Sequence, residues 1–123
     1  MTSKKVLIVE DDLDIAENLK ALLALEGYDT AISKDGREAL DRLNDGEGLP
    51  DLILLDLMMP IMDGFQFYQA QQSNPEIADI PVVVMTAGGN VEAKVQKLGV
   101  QAYFRKPLDV ERLFATIESL ISN

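Results

Sequence analysis

Four clusters of polar residues follow short apolar runs, and their residue types could do chemistry together. Glu10-Asp11-Asp12 comes directly after Val6-Leu7-Ile8-Val9, Asp56 after Leu52-Ile53-Leu54-Leu55, Thr86 after Val82-Val83-Val84-Met85, and Arg105-Lys106-Pro107 after Gln101 to Phe104. Singly, each has a plain structural account. Acids at a helix start cap it and complement the macrodipole, an Asp after a strand serves a turn, Thr86 caps, and Lys106 is a solvated charge. If the apolar runs are parallel strands, however, the clusters meet, because ligands in such sheets bind beyond the carboxyl ends of the strands. Three or more carboxylates in one cleft repel one another and require a cation. With oxygen donors alone, that cation is Mg2+ on hard-ligand grounds. Lys106 and the Thr86 hydroxyl add a positive charge and a donor suited to phosphoryl oxygens. Asp56, on an apolar central strand, is then the nucleophile that can form an acyl phosphate.

The elements that must position these residues are legible as alternating patterns. The runs at 6–9, 52–55 and 82–85 are continuous and apolar, as in strands buried on both faces of a parallel sheet. Tyr28 to Ile32 and Gln101 to Phe104 read as weaker, more peripheral strands. Helical spacing joins Ile15, Leu19, Leu22 and Leu23; Ala39, Leu40 and Leu43; Val91, Val95 and Leu98; and Leu113, Ile117, Leu120 and Ile121. Gly27 closes the first helix, Asp35-Gly36-Arg37-Glu38 offers a capping box to the second, and Asp109 caps the last. A third helix runs from Asp63 or Gly64 to Ser73, carrying Phe65 and Tyr68, before Asn74-Pro75 stops it. The order βαβαβαβαβα predicts an α/β fold with right-handed crossovers and helices on both faces of a parallel sheet.

Composition sets the bounds. At 123 residues and 47% hydrophobic, the chain is expected to form one compact domain over residues 1–123. It has no cysteine and no histidine, so disulfides, thiolate or imidazole metal sites and a phosphohistidine relay through this chain are excluded. A net charge of −10 opposes direct contact with nucleic acid or an anionic membrane. The first residues hold no signal-peptide core or membrane span, so a cytoplasmic location is the expectation.

Over essentially its whole length the chain resembles the receiver domains of two-component response regulators, in the chemotaxis-type single-domain form. The resemblance rests on Val6 to Asp12, on Leu55-Asp56-Leu57-Met58-Met59-Pro60 with Met62-Asp63-Gly64, on Met85-Thr86-Ala87, and on Tyr103-Phe104-Arg105-Lys106-Pro107. It implies a flavodoxin-like, doubly wound (βα)5 sheet of order 2-1-3-4-5, the order that the resemblance carries with it. It also implies site roles. Asp56 accepts the phosphoryl group; Asp12, Asp56 and the backbone carbonyl of Met58 bind Mg2+ directly, and Asp11 acts through water. Lys106 contacts the phosphoryl group across a cis Lys106-Pro107 bond. Thr86 and Tyr103 act as the switch, moving the α4-β5-α5 surface. The implied partners are a histidine kinase or phosphotransfer protein upstream and an unidentified protein on the switched surface, with the chain a monomer or a phosphorylation-dependent dimer.

Two departures from the family pattern stand out: a slightly shortened stretch between Thr86 and Lys106, and Leu108 where many members have Phe. Other readings compete. A Mg2+-dependent phosphatase or mutase with an aspartyl nucleophile would need a second Asp two residues after the first, and that position is Met58. A pseudo-receiver binding module would keep the fold without phosphoryl transfer. The receiver could also be a fragment of a longer DNA-binding response regulator.

Overall fold

The computed structural model describes residues 4–45, 48–87 and 92–121. Five βα units follow in order: β1 (Lys5–Val9), α1 (Leu13–Leu25), β2 (Asp29–Ser33), α2 (Gly36–Asn44), β3 (Leu52–Asp56), α3 (Gly64–Gln72), β4 (Val82–Thr86), α4 (Glu92–Leu98), β5 (Ala102–Arg105) and α5 (Val110–Ile121). All strand pairs are parallel, and the sheet order is β2-β1-β3-β4-β5. The expected fold and order are therefore present.

Alternation along the strands divides the core in two. Leu7, Val9, Ile53, Leu55, Val82 and Val84 face Ala39 and Leu43 of α2, Phe67 and Tyr68 of α3, and Val95 of α4. On the opposite side Val6, Ile8, Leu52, Leu54, Val83 and Met85 face Ala16, Leu19 and Leu23 of α1 and Leu113, Ile117 and Ile121 of α5. The continuous apolar runs thus belong to the three inner strands. The weaker patterns fall on the edges, as β2 and β5, each shifted one residue later than its sequence pattern.

Helix ends follow their caps. Asp12 caps α1, with Gly27 at φ 88° just beyond its end, and Arg112 N–H donates to the Asp109 side chain ahead of α5. The capping box expected at Asp35 forms only by half. Asp35 accepts from Glu38 N–H, but the Glu38 carboxylate takes the Lys34 N–H instead of that of Asp35. A complete box occurs at Asp63 and Gln66, where α3 begins. Val91, placed on the fourth helix by its spacing, lies outside the described residues, as do Gly88, Gly89 and Asn90 in the shortened stretch after Thr86. Among the described residues no helix is long and apolar enough to cross a membrane.

Phe67 is fully enclosed and was missed by helical periodicity, whereas Leu25 is 82% exposed. Phe67→Ala is expected to lower unfolding stability by about 3–5 kcal/mol, and Leu25→Ala to change it by less than about 0.5 kcal/mol, both read from urea denaturation.

Candidate functional site

The chain leaves β1 toward β2 on one side and returns to β3 on the other, so β1 and β3 are neighbours whose connections diverge. A crevice opens beyond their carboxyl ends at such a switch point. Glu10 and Asp11 follow β1 there, Asp56 ends β3, and Lys106 enters just after β5, on the segment where the Lys106-Pro107 peptide bond is cis. Glu10 and Asp56 are 1% and 3% exposed.

One ammonium holds the two buried carboxylates together. Lys106 Nζ donates to Glu10 Oε1 at 2.6 Å and lies 3.6 Å from Asp56 Oδ2. The remaining oxygens face backbone donors, Asp12 N–H at 3.3 Å from Glu10 Oε2 and Met58 N–H at 3.2 Å from Asp56 Oδ1. Burial pushes the Glu10 carboxyl up to about 7; the Lys106 hydrogen bond opposes the rise and the neighbouring Asp56 adds to it. Burial on its own would lower Lys106, but its hydrogen bond to Glu10 and the charge of Asp56 outweigh this and hold it above its ordinary value.

The acidic group is not the one read from the sequence. Carboxylate oxygens of Glu10, Asp11 and Asp56 lie within 4.8 Å of one another, near enough to share one ion. Asp12, expected as a direct ligand, is outside this group. Its Oδ1 accepts from Asp14 N–H at 3.0 Å and Ile15 N–H at 3.3 Å, which commits it to capping α1. The carboxylates brought together with Asp56 are thus Glu10 and Asp11. The available signal was alternation, which puts Glu10 on the same side of β1 as Val6 and Ile8, together with the strong preference for Asp one step before a helix. An all-carboxylate donor set fits a hard cation such as Mg2+.

The other predicted residues surround this centre. Thr86 is fully buried at the end of β4, whose Met85 pairs with Asp56, and its carbonyl accepts Lys106 N–H at 2.8 Å. Met58 is 57% exposed. Tyr103 packs against the α2-α3-α4 side of the core, and its hydroxyl is buried without a hydrogen-bond partner. At the start of α3, a Cβ on Gly64 would fall 2.6 Å from Leu57 Cα and 2.8 Å from Asp56 O, so the helix approaches the acidic strand end at a distance only glycine allows.

Residues 6–118 match the family described as response regulator receiver domain. The chain belongs to that family. Receiver domains are the phosphoacceptor modules of two-component signalling, with histidine kinases as their partners, and they bind Mg2+ at an acidic cluster. Curated relatives include the response regulator MprA of Mycolicibacterium vanbaalenii, 35% identical over 95% of this chain and 50% of the relative. The DNA-binding dual master transcriptional regulator RpaA of Synechocystis is 36% identical over 95% of this chain and 48% of its own length. The chain therefore spans about half the length of these relatives. Among solved structures, response regulator TrrA of Thermotoga maritima in complex with Mg2+-BeF superimposes with a TM-score of 0.84 at 26% identity, covering 95% of this chain and 98% of that one.

Removing Lys106 exposes the charge conflict it offsets. Between the ordinary Glu value of 4.5 and about 7 the folded receiver binds more protons at Glu10 than the unfolded chain, so this residue disfavours folding increasingly as pH rises through that window. Without divalent cations, Lys106→Met is expected to cost about 3 kcal/mol at pH 8. The deficit should shrink by half or more at pH 5, measured by urea unfolding at both values.

Proposed function

We propose that Asp56 is the phosphoryl acceptor of this receiver, with Glu10 and Asp11 supplying the carboxylates that hold Mg2+ beside it. The observation that carries this reading is the convergence of Asp56, Glu10, Asp11 and Lys106 at the β1-β3 switch point. The Asp56 carboxylate attacks phosphorus, the bond to the donor's nitrogen or oxygen breaks, and an acyl phosphate forms on Asp56. When bound, Mg2+ neutralises charge shared by the carboxylates and the phosphoryl oxygens. The Met58 carbonyl is the backbone ligand in this reading. Lys106 exchanges part of its pairing with Glu10 and Asp56 for the phosphoryl group, and the buried Thr86 hydroxyl supplies a further donor.

Switching follows from the same residues. Thr86 moves toward the new charge, Tyr103 with its unpartnered hydroxyl reorganises beside it, and the surface of α4, β5 and α5 changes. The phosphoryl donor is a histidine kinase or phosphotransfer protein. A second reading, favoured by the DNA-binding relative of about twice the length, has that surface act on a DNA-binding output domain. Failure to take a phosphoryl group would instead make this a pseudo-receiver.

Incubation with a small acyl-phosphate donor is expected to add one Mg2+-dependent phosphoryl group by intact mass, lost in Asp56→Asn; no adduct in the folded parent chain would sink the acceptor role. The acidic pair is tested separately. Asp11→Asn is expected to abolish Mg2+ binding. Asp12→Ala is expected to retain it and to lose about 1 kcal/mol of stability as a helix cap, with titration calorimetry and urea unfolding as the two measurements.

A further inference from the structure

Between Met58 and α3 the chain passes through a γ-turn, in which Met62 N–H donates to Pro60 O at 2.7 Å and Ile61 has φ 69°. Positive φ at the centre gives the rarer, strained hand of this turn, and Ile61 is β-branched, the class of side chain for which such a backbone is an outlier. Burial offers no compensation, since Ile61 is 79% exposed. A strained residue of this kind persists only when its surroundings over-determine it.

Three ties do so. Leu57 N–H donates to Met85 O at 3.1 Å and Gly64 N–H to Leu57 O at 3.0 Å, which pins both ends of the loop. The third comes from another helix: Gly36 N–H donates to Met62 O at 3.2 Å. A Cβ on Gly36 would lie 2.9 Å from that oxygen and 2.8 Å from Met62 Cγ, so any side chain there forces the two segments apart. Gly36 itself is well fixed at the start of α2, where the buried Asp35 accepts from Glu38 N–H at 2.8 Å and its carbonyl from Ala39 N–H at 3.1 Å.

We infer that Gly36 is a positioning residue for phosphoryl transfer, its N–H holding the strained turn at Ile61 closed and so keeping the Met58 amide on the Asp56 carboxylate. The inference rests on Asp56 as the acceptor. It brings α2 into the reaction without any contact with the reacting atoms, because a tilt of its first turn releases Met62 and, through the loop, Met58.

The test compares the parent chain, Gly36→Ala, Ile61→Gly and the double variant. Amide hydrogen exchange and Mg2+ titration are followed by NMR, and adduct formation from an acyl-phosphate donor by intact mass. Gly36→Ala is expected to speed exchange at Met62 by about tenfold, and to weaken Mg2+ binding and slow adduct formation by about three- to tenfold. Ile61→Gly relieves the turn and is expected to stay close to the parent alone and to recover most of the loss in the double variant. Strictly additive losses, or a Gly36→Ala chain with the parent's Mg2+ affinity, would overturn the assignment. If Gly36→Ala does not fold, the parent decides: Gly36 and Met62 amides exchanging at matching rates, as one opening event, support the clamp, and rates about tenfold apart reject it. A parent that takes no phosphoryl group defeats the acceptor role and, with it, the role of Gly36 in transfer, whereas exchange and Mg2+ affinity still decide separately whether Gly36 holds the turn.

Discussion

Two buried carboxylates, Glu10 and Asp56, share one ammonium from Lys106, and the architecture of the site depends on that arrangement. In a low-dielectric environment two such anions cannot stand side by side without a counter-charge. Lys106 arrives from the far edge of the sheet, ninety-six residues from Glu10 in sequence, so the charge balance closes only when β1, β3 and β5 are all in place. Acid chemistry and sheet topology are thereby tied together. A sheet with another strand order would leave these acids without their partner.

The balance is incomplete by design of the residues themselves. One ammonium faces Glu10 and Asp56 while Asp11 stands at the exposed rim, so carboxylates outnumber ammonium groups, a balance that suits a hard cation. The Glu10 carboxyl, pushed up to about 7 by burial, expresses the same deficit as a weakened hold on its negative charge. Backbone donors from Asp12 and Met58 fix the remaining oxygens, which leaves the carboxylates oriented rather than free to relax away from one another.

Much of this was legible in the sequence because apolar runs and helical spacing report burial directly. The inner strands, the edge character of β2 and β5, and the gathering of Asp56, Thr86 and Lys106 at strand ends all follow from patterning. Which of the three consecutive acids gather with Asp56 was not legible. Three consecutive acids are chemically alike on paper, and they part only when the strand's alternation turns Glu10 inward and the first turn of α1 claims Asp12. Phe67 escaped for a related reason: α3 is short and its face mixes Gly64, Phe67, Tyr68 and Gln71, so periodicity alone does not single out the enclosed ring. The positive φ of Ile61 left no trace in residue type, since nothing in an isoleucine announces it.

The edge strands have a consequence of their own for how copies of this molecule behave in a crowded solution. An open parallel sheet offers two borders on which another chain's backbone could continue the hydrogen-bonded ladder. Here β2 starts at the exposed Asp29, and β5 is only four residues long and ends at the exposed Arg105. Brevity on one border and a charge on each make edge-to-edge sheet growth unfavourable. The net charge of −10 adds a general repulsion between copies. The same strand that delivers Lys106 to the acidic centre is therefore also a guard against aggregation.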